Sequence, residues 1–163
     1  MQLLDHHQIQ QKVNRLAIEI LEHNTEEDEL ILAGINNRGW KFAEVLADQL
    51  AKLSDKPVQL THLTLSPANP LEKPVVLDMP VAEISGKALI IVDDVANTGR
   101  TLFYACQPIM SILPKKVEIA VLVDRTHKSF PVRADYVGLS LATTLMEDID
   151  VQIMGDEWAV FLK

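Results

Sequence analysis

The sequence predicts an α/β domain in three layers, a mainly parallel sheet packed between helices. Three observations carry this prediction. The short apolar runs ELILAGI (29–35), ALIIVDD (88–94) and VEIAVLVD (117–124) lack polar/apolar alternation, which marks strands covered on both faces. Helical periodicity separates them, and strands alternating with helices build parallel sheets. The 163 residues suit one domain, 1–163, because no repeat, low-complexity stretch or linker divides them.

Asp5 can cap a first helix, with Gln8 three residues on as the returning partner of a capping box. Ile9, Val13, Leu16, Ala17, Ile20 and Leu21 continue it as one apolar stripe, which Asn24 and the acidic residues 26–28 end. After the first strand, Asn36-Asn37-Arg38-Gly39 reads as a short loop into a second amphipathic helix near 39–53. VQLTHLTL alternates as a strand, SPANPLEKP turns through three prolines, and VVLDM is the returning arm of a hairpin. Past Ser85-Gly86 comes ALIIVDD, and a helix is expected from about Gly99. Leu102, Ala105, Cys106, Ile109 and Leu113 share its inner face, with a kink or stop at Pro108. VEIAVLVD is the next buried strand, and loops with short strands follow to EWAVFL.

Composition narrows the function. At 48% hydrophobic and 23% charged residues the chain reads as soluble and globular, with no apolar stretch of membrane-spanning length. MQLLDHHQIQQKV has no basic start or apolar core of a secretory signal. The one cysteine, Cys106, excludes an internal disulfide and suits a reducing cytosol, so a cytoplasmic location is expected. A formal charge of −8 gives no general attraction for nucleic acid, so any polyanion would need a focused site.

VDDVANTGRTL (92–102) offers such a site. Two carboxylates at the end of a buried strand carry a solvation penalty unless something polar meets them. Taken alone, Asp93 and Asp94 would read as a solvated strand end and a helix cap. The residues after them point elsewhere. Loop amides and a helix N-terminus suit phosphate, Thr98 and Thr101 add hydroxyl donors, and Gly99 lets the backbone approach closely. Carboxylates beside a phosphate site can accept hydrogen bonds from sugar hydroxyls, which describes a ribose phosphate. The string lacks the Gly-Lys-Ser/Thr end of a Walker loop and the spaced glycines of a dinucleotide fingerprint.

This string resembles the phosphoribosyl-pyrophosphate (PRPP) loop of type I phosphoribosyltransferases. LLDHHQIQQKVNRLAIEIL, LAGINNRGWKFAEVLADQL and VLVDRTHKSFPVRADYVG extend the resemblance to the pyrimidine-operon attenuator/uracil phosphoribosyltransferase (PyrR) subfamily over nearly the whole chain. The resemblance implies that Asp93 and Asp94 bind the ribose hydroxyls. It implies that Ala96, Asn97, Thr98, Gly99, Arg100 and Thr101 wrap the 5′-phosphate. Asn36, Asn37, Arg38 and Gly39 would bind pyrophosphate, often through a non-proline cis peptide. Arg38 would stabilise the leaving pyrophosphate, and Mg²⁺ would be held mainly by substrate oxygens and water, with Asp93 and Asp94 acting on it indirectly. Tyr136 and Val137, followed by Gly138, would meet the base under a small C-terminal hood. The ligands implied are PRPP, a nucleobase and a nucleoside monophosphate, and the assembly implied is a homodimer or larger.

Three departures qualify the resemblance. Hypoxanthine-guanine enzymes carry an aspartate proton acceptor at the position of Asn97, where an amide cannot be a general base, and the pyrimidine-regulator subfamily commonly has an aromatic residue there, so Asn97 is unusual for both. The hairpin segment THLTLSPANPLEKPVV is short and holds one cation, Lys73, where relatives close a charged loop over the site. DRTHKSFPVR (124–133) gathers Arg125, His127, Lys128 and Arg133. Attenuator proteins bind leader RNA through basic surface residues, yet with the chain at −8 a solvated loop near the phosphate site is the preferred reading. His6 and His7 read as exposed at a helix start, and Cys106 as a core residue. The readings that remain are a uracil phosphoribosyltransferase, a PRPP- or nucleotide-binding regulator with weak or no turnover, and a purine phosphoribosyltransferase.

Overall fold

The computed structural model describes every residue of 1–163 except Leu145. The chain runs β1 (Gln2–Leu4), α1 (His6–His23), β2 (Leu30–Ile35), α2 (Asn36–Leu53), β3 (Val58–Thr64), β4 (Val76–Leu77), β5 (Ala88–Ala96), α3 (Arg100–Ala105), β6 (Lys116–Arg125), β7 (Tyr136–Leu141), β8 (Ile149–Gln152) and β9 (Ala159–Leu162). Six strands form the main sheet in the order β4-β3-β2-β5-β6-β7, parallel throughout except for β4.

The continuous apolar runs split by residue parity between two cores, because neighbouring strand residues face opposite sides. Leu30, Leu32, Ile90, Val92, Ala120 and Leu122 join α1 and α2 in one core. Ile31, Ala33, Ile35, Leu89, Ile91 and Val121 join α3 in the other. This is the expected three-layer α/β arrangement.

The capping box forms as the sequence predicts: the Gln8 amide donates to Asp5 Oδ1 at 2.8 Å and the Asp5 amide donates to Gln8 Oε1 at 2.9 Å. The hairpin is also present, with Leu63 opposite Leu77 and Thr64 opposite Val76. Other boundaries differ. Asn36–Gly39 is the first turn of α2 rather than a loop before it. α3 ends at Ala105, and a 3₁₀ turn over Gln107–Ser111 carries Pro108 near its start, where a ring without an N–H is tolerated. That early stop leaves Leu113 83% exposed instead of on the inner face.

The hood is a three-stranded antiparallel sheet in the order β1-β9-β8, so it draws on both ends of the chain. It is therefore not purely C-terminal as expected. His6 is part of the seam: its Nδ1 accepts the Trp158 amide at 3.0 Å, while His7 is exposed. Cys106 packs half-buried against the α3 core, and burial pushes its thiol up. No described helix is long and apolar enough to cross a membrane.

Candidate functional site

β5 lies at the middle of the sheet, between β2 and β6, and its carboxyl end carries Asp93 and Asp94. They are only 9% and 8% exposed. Each spends one oxygen on the next amide: Asp94 N–H donates to Asp93 Oδ1 and Val95 N–H donates to Asp94 Oδ1, both at 2.9 Å. None of the ion pairs among the described residues involves either carboxylate. Burial first, and the neighbouring Asp94 charge second, push the Asp93 carboxyl well above the ordinary carboxylate range. Two buried acids with no cation form a site waiting for polar hydrogens or positive charge.

The first turn of α2 closes one side. No side chain caps this helix, so its first amides are free. Gly39 lets the turn sit against β5: a methyl there would lie 2.7 Å from the Val92 carbonyl oxygen and 3.1 Å from Asp93 Oδ1. Asn36 has a φ of 50°, and there is no cis peptide bond among the described residues, so the backbone special expected here takes another form. Arg38 reaches across to the hood, 3.6 Å from Asp150 Oδ1 on β8. Lys163 bonds Asp150 at 2.6 Å and, with help from Gln152, holds that carboxyl below its usual range.

The loop after β5 closes the other side. Gly99 adopts φ 91°, and a Cβ there would strike the Val132 methyl at 2.5 Å. Thr98 O accepts the amides of Ser129 and Phe130, at 2.9 and 3.2 Å, so the 124–133 segment supports this loop from beneath. Arg125 is partly buried. Its guanidinium donates to Thr143 Oγ1 at 2.7 Å, Thr144 O at 2.5 Å and Asn97 Oδ1 at 3.3 Å. Lys128 pairs with Asp124 at 2.6 Å.

Asn36, Asn37, Arg38, Asp93, Asp94, Asn97 and Thr101 line one cavity of about 430 Å³. Ala96, Asn97, Thr98, Gly99, Arg100 and Thr101 line an adjoining one of about 340 Å³. Tyr136 and Val137 line neither cavity. Tyr136 is fully buried, its hydroxyl donating to Glu118 at 2.9 Å. Val137 packs against the α3 core, and its carbonyl accepts Arg15 at 2.9 Å. In register, Val137 is level with Asp93 across β6, so Tyr136 sits a step back towards the amino ends of the strands.

Residues not singled out from the sequence also enter the site. Pro67 lines both cavities, and its carbonyl accepts the Arg100 guanidinium at 2.7 Å, so the short hairpin loop does reach the site. Ile149 closes the first cavity from the hood. Neither Pro67 nor Ile149 bears a reactive group, which left the sequence without a signal for them.

Comparison with known proteins places the chain in a family. The phosphoribosyl transferase domain family matches residues 1–155. The "Bifunctional protein PyrR" of Pelotomaculum thermopropionicum is 37% identical over 99% of this chain and 95% of its own. Its namesake in Enterococcus faecalis is 38% identical over 86% of this chain and 83% of its own. Among solved structures, the hypoxanthine phosphoribosyltransferase of Trypanosoma cruzi shares the fold at a TM-score of 0.78 and 20% identity, covering 98% of this chain and 94% of that one.

Proposed function

The chain belongs to the phosphoribosyl transferase domain family, and on that premise we propose that it transfers the ribose 5-phosphate of PRPP to uracil in the cytoplasm, releasing pyrophosphate. The observation that carries this reading is the buried pair Asp93 and Asp94, in no ion pair among the described residues, between two anion-compatible backbone turns. The pair accepts the ribose hydroxyls, the 96–101 loop takes the 5′-phosphate, and the first turn of α2 with Arg38 takes the pyrophosphate. Displacement at the ribose C1 breaks the bond to pyrophosphate and forms the bond to the base nitrogen. Charge builds on the leaving oxygens and on the sugar, so the protein's part is orientation and charge stabilisation. Arg38 neutralises the leaving group, and the carboxylates fix the sugar.

Among the described residues, no cluster of three or more His, Cys, Asp or Glu side chains could hold a metal alone. The second oxygen of each aspartate still suits an Mg²⁺ carried in largely by ligand oxygens and water. When bound, the ion supplies further positive charge to the leaving pyrophosphate.

Asn97 supports uracil over a purine. Arg125 can only donate, so the amide oxygen of Asn97 faces it and the Asn97 NH₂ is left for the ligand. A donor at this place meets a base carbonyl and cannot take a proton. RNA is not part of the reading: the chain carries a formal charge of −8, Lys128 is paired with Asp124, and the Arg125 guanidinium is engaged by Thr143 and Thr144. A homodimer or larger assembly is the expected state by family likeness.

The deciding experiment measures pyrophosphate release from PRPP and Mg²⁺ with uracil, hypoxanthine, guanine and xanthine in turn. Turnover with uracil at least tenfold above the purines is expected. No turnover with any base, beside tight PRPP binding, replaces the enzyme by a ligand-sensing regulator.

A further inference from the structure

Among the described residues, Asn36 is the one non-glycine residue with a positive φ. Asparagine reaches this left-handed conformation more readily than other side-chain-bearing residues, and contacts from neighbouring elements can fix it there. Two contacts from β3 and its extension do so here. His62 Nε2 lies 2.7 Å from the Asn36 carbonyl oxygen, and the Leu65 amide donates to Asn36 Oδ1 at 3.0 Å. A carbonyl can only accept, so His62 Nε2 carries the proton. The imidazole is steadied in turn by Trp40, one turn further along α2, whose ring stacks on it at 4.7 Å and 12°. Trp40 can sit there because Gly34 has no side chain: a Cβ at residue 34 would lie 2.5 Å from the Trp40 Cα.

His62 lines neither cavity of the site. Its bond fixes the backbone at the point where β2 turns into α2 and aims the uncapped amides of Asn37 and Arg38. We propose that His62 is a positioning residue for the anion-binding turn 36–39, acting through the Asn36 carbonyl. It favours ligands carrying pyrophosphate and leaves those carrying only ribose 5-phosphate unaffected. The proposal rests on the PRPP reading of the site, and its test separates the two.

The experiment measures dissociation constants by calorimetry for PRPP, inorganic pyrophosphate and ribose 5-phosphate, each with Mg²⁺. The proteins compared are the wild type, His62→Phe and His62→Gln. Phenylalanine keeps a ring for Trp40 and removes the donor, whereas glutamine keeps a donor. The expected result is about tenfold weaker PRPP and pyrophosphate binding in His62→Phe, the worth of one hydrogen bond. Ribose 5-phosphate should stay within twofold, and His62→Gln should recover most of the loss. Equal weakening for all three ligands makes His62 merely structural and overturns the proposal. So do unchanged PRPP binding and equal losses in both variants. A wild type that binds none of the three overturns the PRPP reading itself, and the proposal with it.

Discussion

Two buried polar groups sit at opposite ends of the same sheet. At its amino end, Tyr136 donates to Glu118, Asn24 Nδ2 reaches Ile20 O at 2.8 Å and both Tyr136 and Glu118 at 3.3 Å, and Lys116 pairs with Glu118 at 3.3 Å. Only Asn24 Oδ1 is left without a partner there. At the carboxyl end, Asp93 and Asp94 have backbone partners and no ion pair among the described residues. One cluster meets its charge with the protein's own Lys116 and leaves a single neutral amide oxygen unpartnered, whereas the other holds two carboxyls with no ion pair among the described residues. Buried polarity alone thus says little about function, whereas buried charge left uncompensated points to a ligand.

The largest effect that could break this contrast comes from Asp93→Asn with Asp94→Asn. Each change removes a charge-assisted hydrogen bond to ribose worth about 1.5–3 kcal/mol, so PRPP binding should fall at least ~100-fold by calorimetry. Stability should move the other way. The Asp93 carboxyl is raised in the fold, chiefly by burial, so its contribution is fully present below the unfolded value of about 3.9. That contribution is lost as pH rises through the folded value. Above the unfolded value the fold therefore bears a cost at this buried carboxyl, which the amide lifts. We expect Asp93→Asn alone to raise Tm by roughly 2–4 °C, about 1 kcal/mol, with the gain shrinking as pH falls. A lower Tm, or intact PRPP binding in the double variant, contradicts the contrast.

Tyr136→Phe probes the closed end at intermediate size. Removing the hydroxyl strips a partner from Glu118 and Asn24, so Tm should drop by roughly 2–4 °C, about 1 kcal/mol. PRPP binding and the KM for the base should stay within twofold. A selective change in the base KM would return Tyr136 to the base pocket that family likeness suggested for it.

The two ends were not equally legible in the sequence. Runs such as ALIIVDD exposed the parallel sheet, because strands buried on both faces cannot hide their lack of alternation. VDDVANTGRTL exposed the proposed ribose-phosphate half of the site, because the residues that line it are contiguous. The amino-end cluster assembles from Asn24, Glu118 and Tyr136, which are far apart in sequence and bear no local pattern. For the same reason Pro67 and Ile149 were missed, and Arg125 read as surface. The helix start at Asn36 was missed because a left-handed asparagine inside a first turn looks like loop chemistry.

The smallest predicted effect concerns Asp150, where the open end meets the hood. Its carboxylate stands 3.6 Å from Arg38, the group assigned to pyrophosphate, and Lys163 holds that carboxyl below its usual range. Pyrophosphate must compete with Asp150 for the same guanidinium. An exposed pair of this length is worth about 0–1 kcal/mol, so Asp150→Asn should tighten PRPP binding by no more than about threefold. The gain should shrink at high salt, as for any exposed charge pair, and ribose 5-phosphate should not respond. Weaker PRPP binding in Asp150→Asn would give the carboxylate the opposite role, holding Arg38 in place for the ligand rather than away from it. The sign of a small change then decides whether the hood restrains the open end or completes it.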